Sequence, residues 1–327
     1  MRAVSVAAIQ LAVPGWDREA NLAQAERLVR EAAAQGAQVI LLPELFELPY
    51  FCTEQDSKHF RHALPFDGHP AITRFARVAA ELNVVLPISF FERAGNVFYN
   101  TVAVIDADGS VLGRYRKTHI PDGPGYSEKY YFTPGDTGFR VWPTRYGALG
   151  VGICWDQWFP ETARAMALLG AELLFYPTAI GSEPQDASLD SSAHWQRVMQ
   201  GHAGANLVPL IAANRTGREQ GRDFPQRYYG SSFIADHYGE QVQKAGRDDP
   251  AASFRSGCGC RDTSCVGRVS RPASGLLRHP RDERWRAPYP GAGILSVVFT
   301  GVANLDALND ISSDGFEQQA SRGDIAC

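Results

Sequence analysis

The sequence predicts an α/β fold, a layered sandwich of sheets covered by helices, and three observations carry that expectation. Short β-branched or apolar runs alternate with Ala-rich amphipathic stretches through the first 248 residues. Several of those runs are continuously apolar, the pattern of strands covered on both faces. A chain of 327 residues, 44% of them hydrophobic, is also long enough to fill the core of a large α/β domain.

The elements follow in order. "AVSVAAIQL" reads as a strand, "NLAQAERLVREAAAQGA" as an amphipathic helix closed by Gly36, and "QVILLPE" as a second strand, which together make a βαβ opening. A helix over "AITRFARVAAELN" precedes a strand at "VVLPISFFE" and a strand pair within "FYNTVAVIDADGSVLGRYRK", turned at its glycines. The rhythm then repeats: strand "LGVGIC", helix "FPETARAMALLGA", strand "ELLFYP", helix "SAHWQRVMQGHAGANL", strand "VPLIAANR" and a hairpin in "YYGSSFIADHYGE". There is no short-period repeat.

The charge balance narrows the partners. Lysine and arginine number 32 against 36 acidic residues, so neither a nucleic-acid surface nor an acidic disordered chain is indicated. The expected partner is a small molecule or a second copy of the chain, that is, a homo-oligomer. No stretch approaches the roughly 18 apolar residues of a membrane span, and the N-terminus meets Gly15 and charged residues too early for a secretory signal. With only Cys52 and Cys154 among the first 250 residues, a reducing, cytoplasmic setting is expected.

The style changes at about Asp249, where Arg, Gly, Ser, Pro and Cys accumulate without sustained periodicity. Residues 1–248 therefore read as one domain, and 249–327 as an atypical tail, either disordered or translated out of frame from a GC-rich coding sequence. Cys258, Cys260, Cys265 and His279 could ligate zinc, but their C-x-C-x4-C spacing lacks the paired C-x2-C arrangement that zinc sites favour.

Four residues stand where chemistry is done. In "LGVGICWDQWFPE" an apolar strand ends on Cys154 just before a helix-like stretch. The thiol is either a small buried hydrophobe or a nucleophile lifted clear of the sheet toward a helix N-terminus, where a thiolate is favoured. Glu44 ends the strand "VILLPE", where a carboxylate emerges at the carboxyl edge of a sheet or simply sits solvated in a loop. Lys117 follows another strand, and Glu128 lies in the aromatic stretch "GYSEKYYF"; the plain alternative for both is an exposed side chain. His194 and His202, eight apart, have no metal spacing, and Trp155, Trp158 and Trp195 read as core.

A Glu at the end of one strand, a Lys after a later strand and a Cys in "GICWDQWFPE", in that order, resemble the Glu-Lys-Cys triad of the nitrilase superfamily of carbon-nitrogen hydrolases. The resemblance covers roughly residues 3 to 247. It implies a four-layer αββα sandwich and an amidohydrolase with neither metal nor organic cofactor. "LPELFELPYFC", "HIPDGPGYSEKYYFTPGD" and "AIGSEPQD" look like the branch that hydrolyses N-carbamoylputrescine in polyamine synthesis. By this resemblance Cys154 attacks the ureido carbon, Glu44 moves the proton, and Lys117 stabilises the oxyanion with the backbone N–H of Trp155. Glu128 positions Lys117, Glu183 meets the distal ammonium, and Tyr50 lines the pocket. Asp156 is expected to anchor the turn. The alternatives are another carbamoyl or aliphatic amide hydrolase, such as one acting on β-ureidopropionate, or an inactive product of the aberrant tail. The family's usual C-terminal continuation, similar to W-x-x-x-R-x-R-R-P-x-x-Y, has no match after residue 249.

Overall fold

The computed structural model describes residues 3–186, 188–222 and 225–248, together with the backbone of 251–253 and 267–270. The first half contains β1 (Ala3–Leu11), α1 (Arg18–Ala34), β2 (Val39–Leu41), α2 (Pro70–Leu82), β3 (Leu86–Ala94), β4 (Val97–Ile105), β5 (Val111–Arg116) and a single helical turn α3 (Glu128–Tyr131). It is followed by β6 (Val141–Thr144), β7 (Gly147–Val151), α4 (Pro160–Leu168), β8 (Leu173–Pro177), α5 (Ser192–Asn206) and β9 (Leu210–Ala213). The short strands β10 (Arg218–Gln220), β11 (Pro225–Arg227), β12 (Phe233–Ala235), β13 (Gln241–Lys244), β14 (Ala251–Ser253) and β15 (Gly267–Ser270) come last.

Two sheets result. In one, β1 pairs in parallel with β2, an isolated bridge links Val39 to Val85 beside β3, and β3, β4 and β5 continue antiparallel. In the other the order is β13-β12-β9-β8-β7-β6, with β7, β8 and β9 parallel and joined through α4 and α5. The period-2 alternation of strand side chains then builds the layers. Ala7, Ile9 and Leu11 of β1 face Leu22, Leu28, Phe75 and Val78 of α1 and α2. Val4, Val6 and Ala8 face the other way, onto Leu149, Val151, Phe175 and Ile211 of the second sheet. The outer face of that sheet, Leu174, Tyr176 and Leu210, packs on Met166, Trp195 and Met199 of α4 and α5. The fold is thus the expected αββα sandwich.

The helices start and stop for local reasons. Asp17 accepts the backbone N–H of Ala20, so α1 begins at Arg18, three residues before the apolar periodicity does. Pro70 opens α2, and Asn83 closes it in the left-handed region at φ 54°. The sequence reading also missed β14 and β15, which pair antiparallel with β1 at Ile9↔Ser253 and Ala3↔Ser270 inside the segment read as structureless. Strands of three and four residues are too short to show a period. The proposed zinc ligands Cys258, Cys260, Cys265 and His279 lie outside the described residues, as does most of 249–327.

Candidate active site

The turn after β7 sets the thiol. Gly150 and Gly152 let the strand pass close beneath its neighbours, because a Cβ at these positions would stand 2.9 Å from the Met166 sulfur and 2.7 Å from the Tyr176 ring. Cys154 then adopts φ +41°, an uncommon conformation for a residue with a side chain, and residues 154–158 form one 3-10 turn. Asp156 holds this turn. Its buried carboxylate accepts the Ile153 N–H (2.9 Å), the Tyr115 hydroxyl (2.8 Å), and both the backbone N–H (3.0 Å) and ring Nδ1 (2.7 Å) of His119. Asp156→Ala would strand those donors in the core, so it is expected to cost about 3–5 kcal/mol in a urea unfolding experiment.

Three ionisable side chains meet in full burial beside the turn. Lys117 Nζ donates to Glu44 Oε1 at 2.8 Å and to both oxygens of Glu128, at 2.8 and 2.7 Å. Asn100 Nδ2 bridges the two acids, at 2.6 Å from Glu44 Oε1 and 3.5 Å from Glu128 Oε2. The Tyr50 hydroxyl donates to Glu128 Oε1 at 2.5 Å. Glu128 is therefore saturated, whereas Glu44 keeps Oε2 buried and without a hydrogen-bond partner. This asymmetry leaves Glu44 the carboxylate with an oxygen available for a proton.

The electrostatics follow from burial and charge. Burial alone would lower the Lys117 pKa, but Glu128 and Glu44 outweigh it and hold the ammonium charged. Burial raises the Glu128 carboxyl, with the nearby Glu44 charge adding to it and Lys117 and Tyr50 opposing. The Cys154 thiol is pushed well above its ordinary range by burial and by Glu44, against the pull of Lys117. The sequence suggested that a helix N-terminus favours the thiolate here. Burial and Glu44 work against that thiolate, so the chemistry calls for a base beside Cys154.

Cys154, Trp155, Gln157, Trp158, Ala179, Ile180, Tyr126, Pro121 and Glu128 line a narrow cleft. Larger surface depressions beside α1 and around Trp16 and His62 contain none of the clustered groups. Glu183, three residues beyond Ile180 in the chain, is buried and is not itself among the cleft residues, and its Oε1 has no hydrogen-bond partner. Burial raises its carboxyl to about 7 despite a hydrogen bond from Gln185. Tyr50 was expected to line the pocket, but its hydroxyl is engaged by Glu128 and it is not among the cleft residues. His202 Nε2 donates to the Gln157 carbonyl and His194 packs on Trp158, as packing residues do. Among the described residues no group of three or more His, Cys, Asp or Glu is placed to hold a metal, and no helix is long and apolar enough to cross a membrane.

Residues 5–251 match the family model described as carbon-nitrogen hydrolase. The chain belongs to the carbon-nitrogen hydrolase family. As such it is an amidohydrolase. This carbon-nitrogen hydrolase is 60% identical over 254 residues to the N-carbamoylputrescine amidase of Solanum lycopersicum, an alignment covering 76% of this chain and 84% of that protein. It is 56% identical over 247 residues to a citrullinase of Francisella tularensis, covering 76% and 86%. Among solved structures, a carbon-nitrogen hydrolase from Helicobacter pylori G27 superposes with a TM-score of 0.73 at 38% identity, covering 76% of this chain and 88% of that one.

Two functional neighbours escaped sequence reasoning. Asn100 had a visible signal, a lone amide amid the apolar run "NTVAV". Arg215 had none, because its contacts lie about 170 residues upstream.

Proposed function

We propose that this hydrolase converts N-carbamoylputrescine and water to putrescine, carbon dioxide and ammonia. The observation that carries this substrate is Glu183, a buried carboxylate three residues along the chain from the cleft residue Ile180, with one oxygen unpartnered, which suits the distal ammonium of a diamine chain. The family relatives of that name support the reading.

Cys154 Sγ attacks the ureido carbon while its proton passes to Glu44 Oε2, the carboxylate oxygen without a partner. Negative charge gathers on the ureido oxygen, where the Lys117 ammonium and the Trp155 backbone N–H receive it. Glu44 returns the proton to a departing nitrogen, leaving a thiocarbamoyl group on sulfur. A water that gives its proton to Glu44 then attacks the thiocarbamoyl carbon, Glu44 returns that proton to the Cys154 sulfur as the C–S bond breaks, and the carbamic acid released decomposes to carbon dioxide and the remaining amine. Glu128, saturated by Lys117 and Tyr50, holds the ammonium in place throughout.

The test is ammonia release from N-carbamoylputrescine, citrulline and β-ureidopropionate side by side. A preference for the first supports Glu183 as the ammonium partner. Equal or better turnover of β-ureidopropionate, which ends in a carboxylate, overturns it. The citrullinase relative favours a second reading, a ureido amino acid, which the citrulline arm tests. Glu183→Gln is expected to raise KM for N-carbamoylputrescine at least about 30-fold, as loss of a buried ion pair does, with a smaller change in kcat. The pH dependence has a definite sign. Only the carboxylate pairs with an ammonium, and the empty-site carboxyl titrates at about 7, so KM in the parent enzyme should rise as pH falls below that value. A KM flat from pH 8 to 5.5 would count against the assignment.

Residues 1–248 are the hydrolase domain in this reading, supported by the family match ending at residue 251. A cytoplasmic homo-oligomer acting on a small molecule, without nucleic acid, membrane or cofactor, completes the proposal. Size-exclusion chromatography with light scattering tests the assembly, and a monomer at micromolar concentration would overturn it.

A further inference from the structure

The loop that carries both Glu44 and Tyr50 is held from below by one buried ion pair. Arg215, fully buried just after β9, donates from Nε and Nη2 to the Glu44 carbonyl at 3.1 and 3.0 Å. Its Nη2 also reaches the carbonyls of Leu45 (2.6 Å) and Leu48 (3.0 Å), and its Nη1 donates to Glu219 Oε1 at 2.7 Å. The other oxygen of Glu219 accepts the backbone N–H of Tyr50 at 2.6 Å. Every nitrogen of the guanidinium is thus engaged, and the pair grips residues 44, 45, 48 and 50.

The grip has something to resist. Leu45 sits at φ +49°, a conformation that costs a leucine energy and persists only where its surroundings over-determine it. The strained residue adjoins Glu44. Relaxation at Leu45 would swing the Glu44 carboxylate away from Lys117 and Cys154. It would also move Tyr50, whose hydroxyl fixes Glu128.

We propose that the Arg215–Glu219 pair is the positioning element for both carboxylates of the site, locking a strained loop so that Glu44 faces the thiol and Tyr50 holds Glu128. A planar fork that reaches three carbonyls and a carboxylate at once is beyond a lysine, which keeps the charge but not the geometry. The inference rests on Glu44 as the base for Cys154, so its test includes a readout that needs no substrate.

Arg215→Lys is compared with the parent chain by kcat and KM on N-carbamoylputrescine. The rate of Cys154 alkylation by iodoacetamide, followed on the Cys154 peptide by mass spectrometry from pH 6 to 10, is the second readout. With circular dichroism and elution volume unchanged, kcat should fall about 100-fold, the usual consequence of a displacement near 1 Å, and KM should stay within about threefold. The pH midpoint of alkylation should move down, because the Glu44 charge that helps raise the thiol is withdrawn from it. If Arg215→Lys does not fold, Glu219→Gln, which frees the Tyr50 N–H, should shift both readouts the same way. A folded variant with the parent kcat and alkylation profile overturns the proposal. A lowered alkylation midpoint alongside a parent enzyme inactive on N-carbamoylputrescine would uphold the positioning role and reject the substrate.

Discussion

Cys154→Ala is expected to lower ammonia release from N-carbamoylputrescine by at least about 10⁴-fold while leaving the fold intact. Loss of a nucleophile in a thiol or serine hydrolase removes the covalent route altogether, and what remains is the rate of water placed near a polarised carbonyl. Stability should change little. Alanine at φ +41° is no more strained than cysteine, and the thiol bears no share in the Asp156 hydrogen bonds that hold the turn. The check is a coupled ammonia assay on both proteins, with intact-mass analysis of the parent during turnover to trap the acyl adduct. Residual activity within tenfold of the parent would remove Cys154 from the reaction and send the search to Cys52, the other buried thiol among the described residues.

Lys117→Met should abolish activity and also destabilise the protein by about 3–5 kcal/mol at pH 8, because it leaves Glu44 and Glu128 buried without their cation. The pH dependence is the sharper expectation. Without Lys117 the folded-state Glu128 carboxyl, already raised by burial, lies further above its unfolded value of 4.5, so the folded variant holds a proton that the unfolded chain releases. Stability of the variant is then greatest at low pH and is lost as pH rises through that raised value. Urea midpoints for the variant should climb between pH 8 and 5.5, relative to the parent chain at each pH. A variant as stable as the parent at pH 8 would mean that the acids are already neutral there and that the ion triad does not exist in solution.

Much of this site was legible because each part is announced by a local rule. Glu44 and Lys117 follow apolar strands, Cys154 ends one at a glycine-rich turn, and Asp156 stands two residues on, close enough to bond the backbone it anchors. The αββα layering was legible in continuously apolar strands that need cover on both faces. What could not be read depends on partners distant in the chain. Tyr50 occupies a loop whose sequence does not say whether its hydroxyl meets a ligand or another side chain, and the structure gives it to Glu128. Arg215 ends a strand like any arginine, and its role exists only once residues 44–48 are beside it. The raised Cys154 pKa is likewise a product of depth in the fold, a property that no local pattern records.

The pairing of β1 has a consequence for how this chain is made. The Gln10 side chain donates to the Gly246 carbonyl 236 residues away and accepts from Ser232, and β1 pairs with both β14 and β15. A growing chain thus displays its first strand, apolar in nearly every residue, long before those partners leave the ribosome. Such long-range pairing makes a high contact order and a slow closing step. Throughout that interval "AVSVAAIQL" is an open template for other strands, so yield in cells should depend more on synthesis temperature and chaperone supply than on the stability of the finished enzyme.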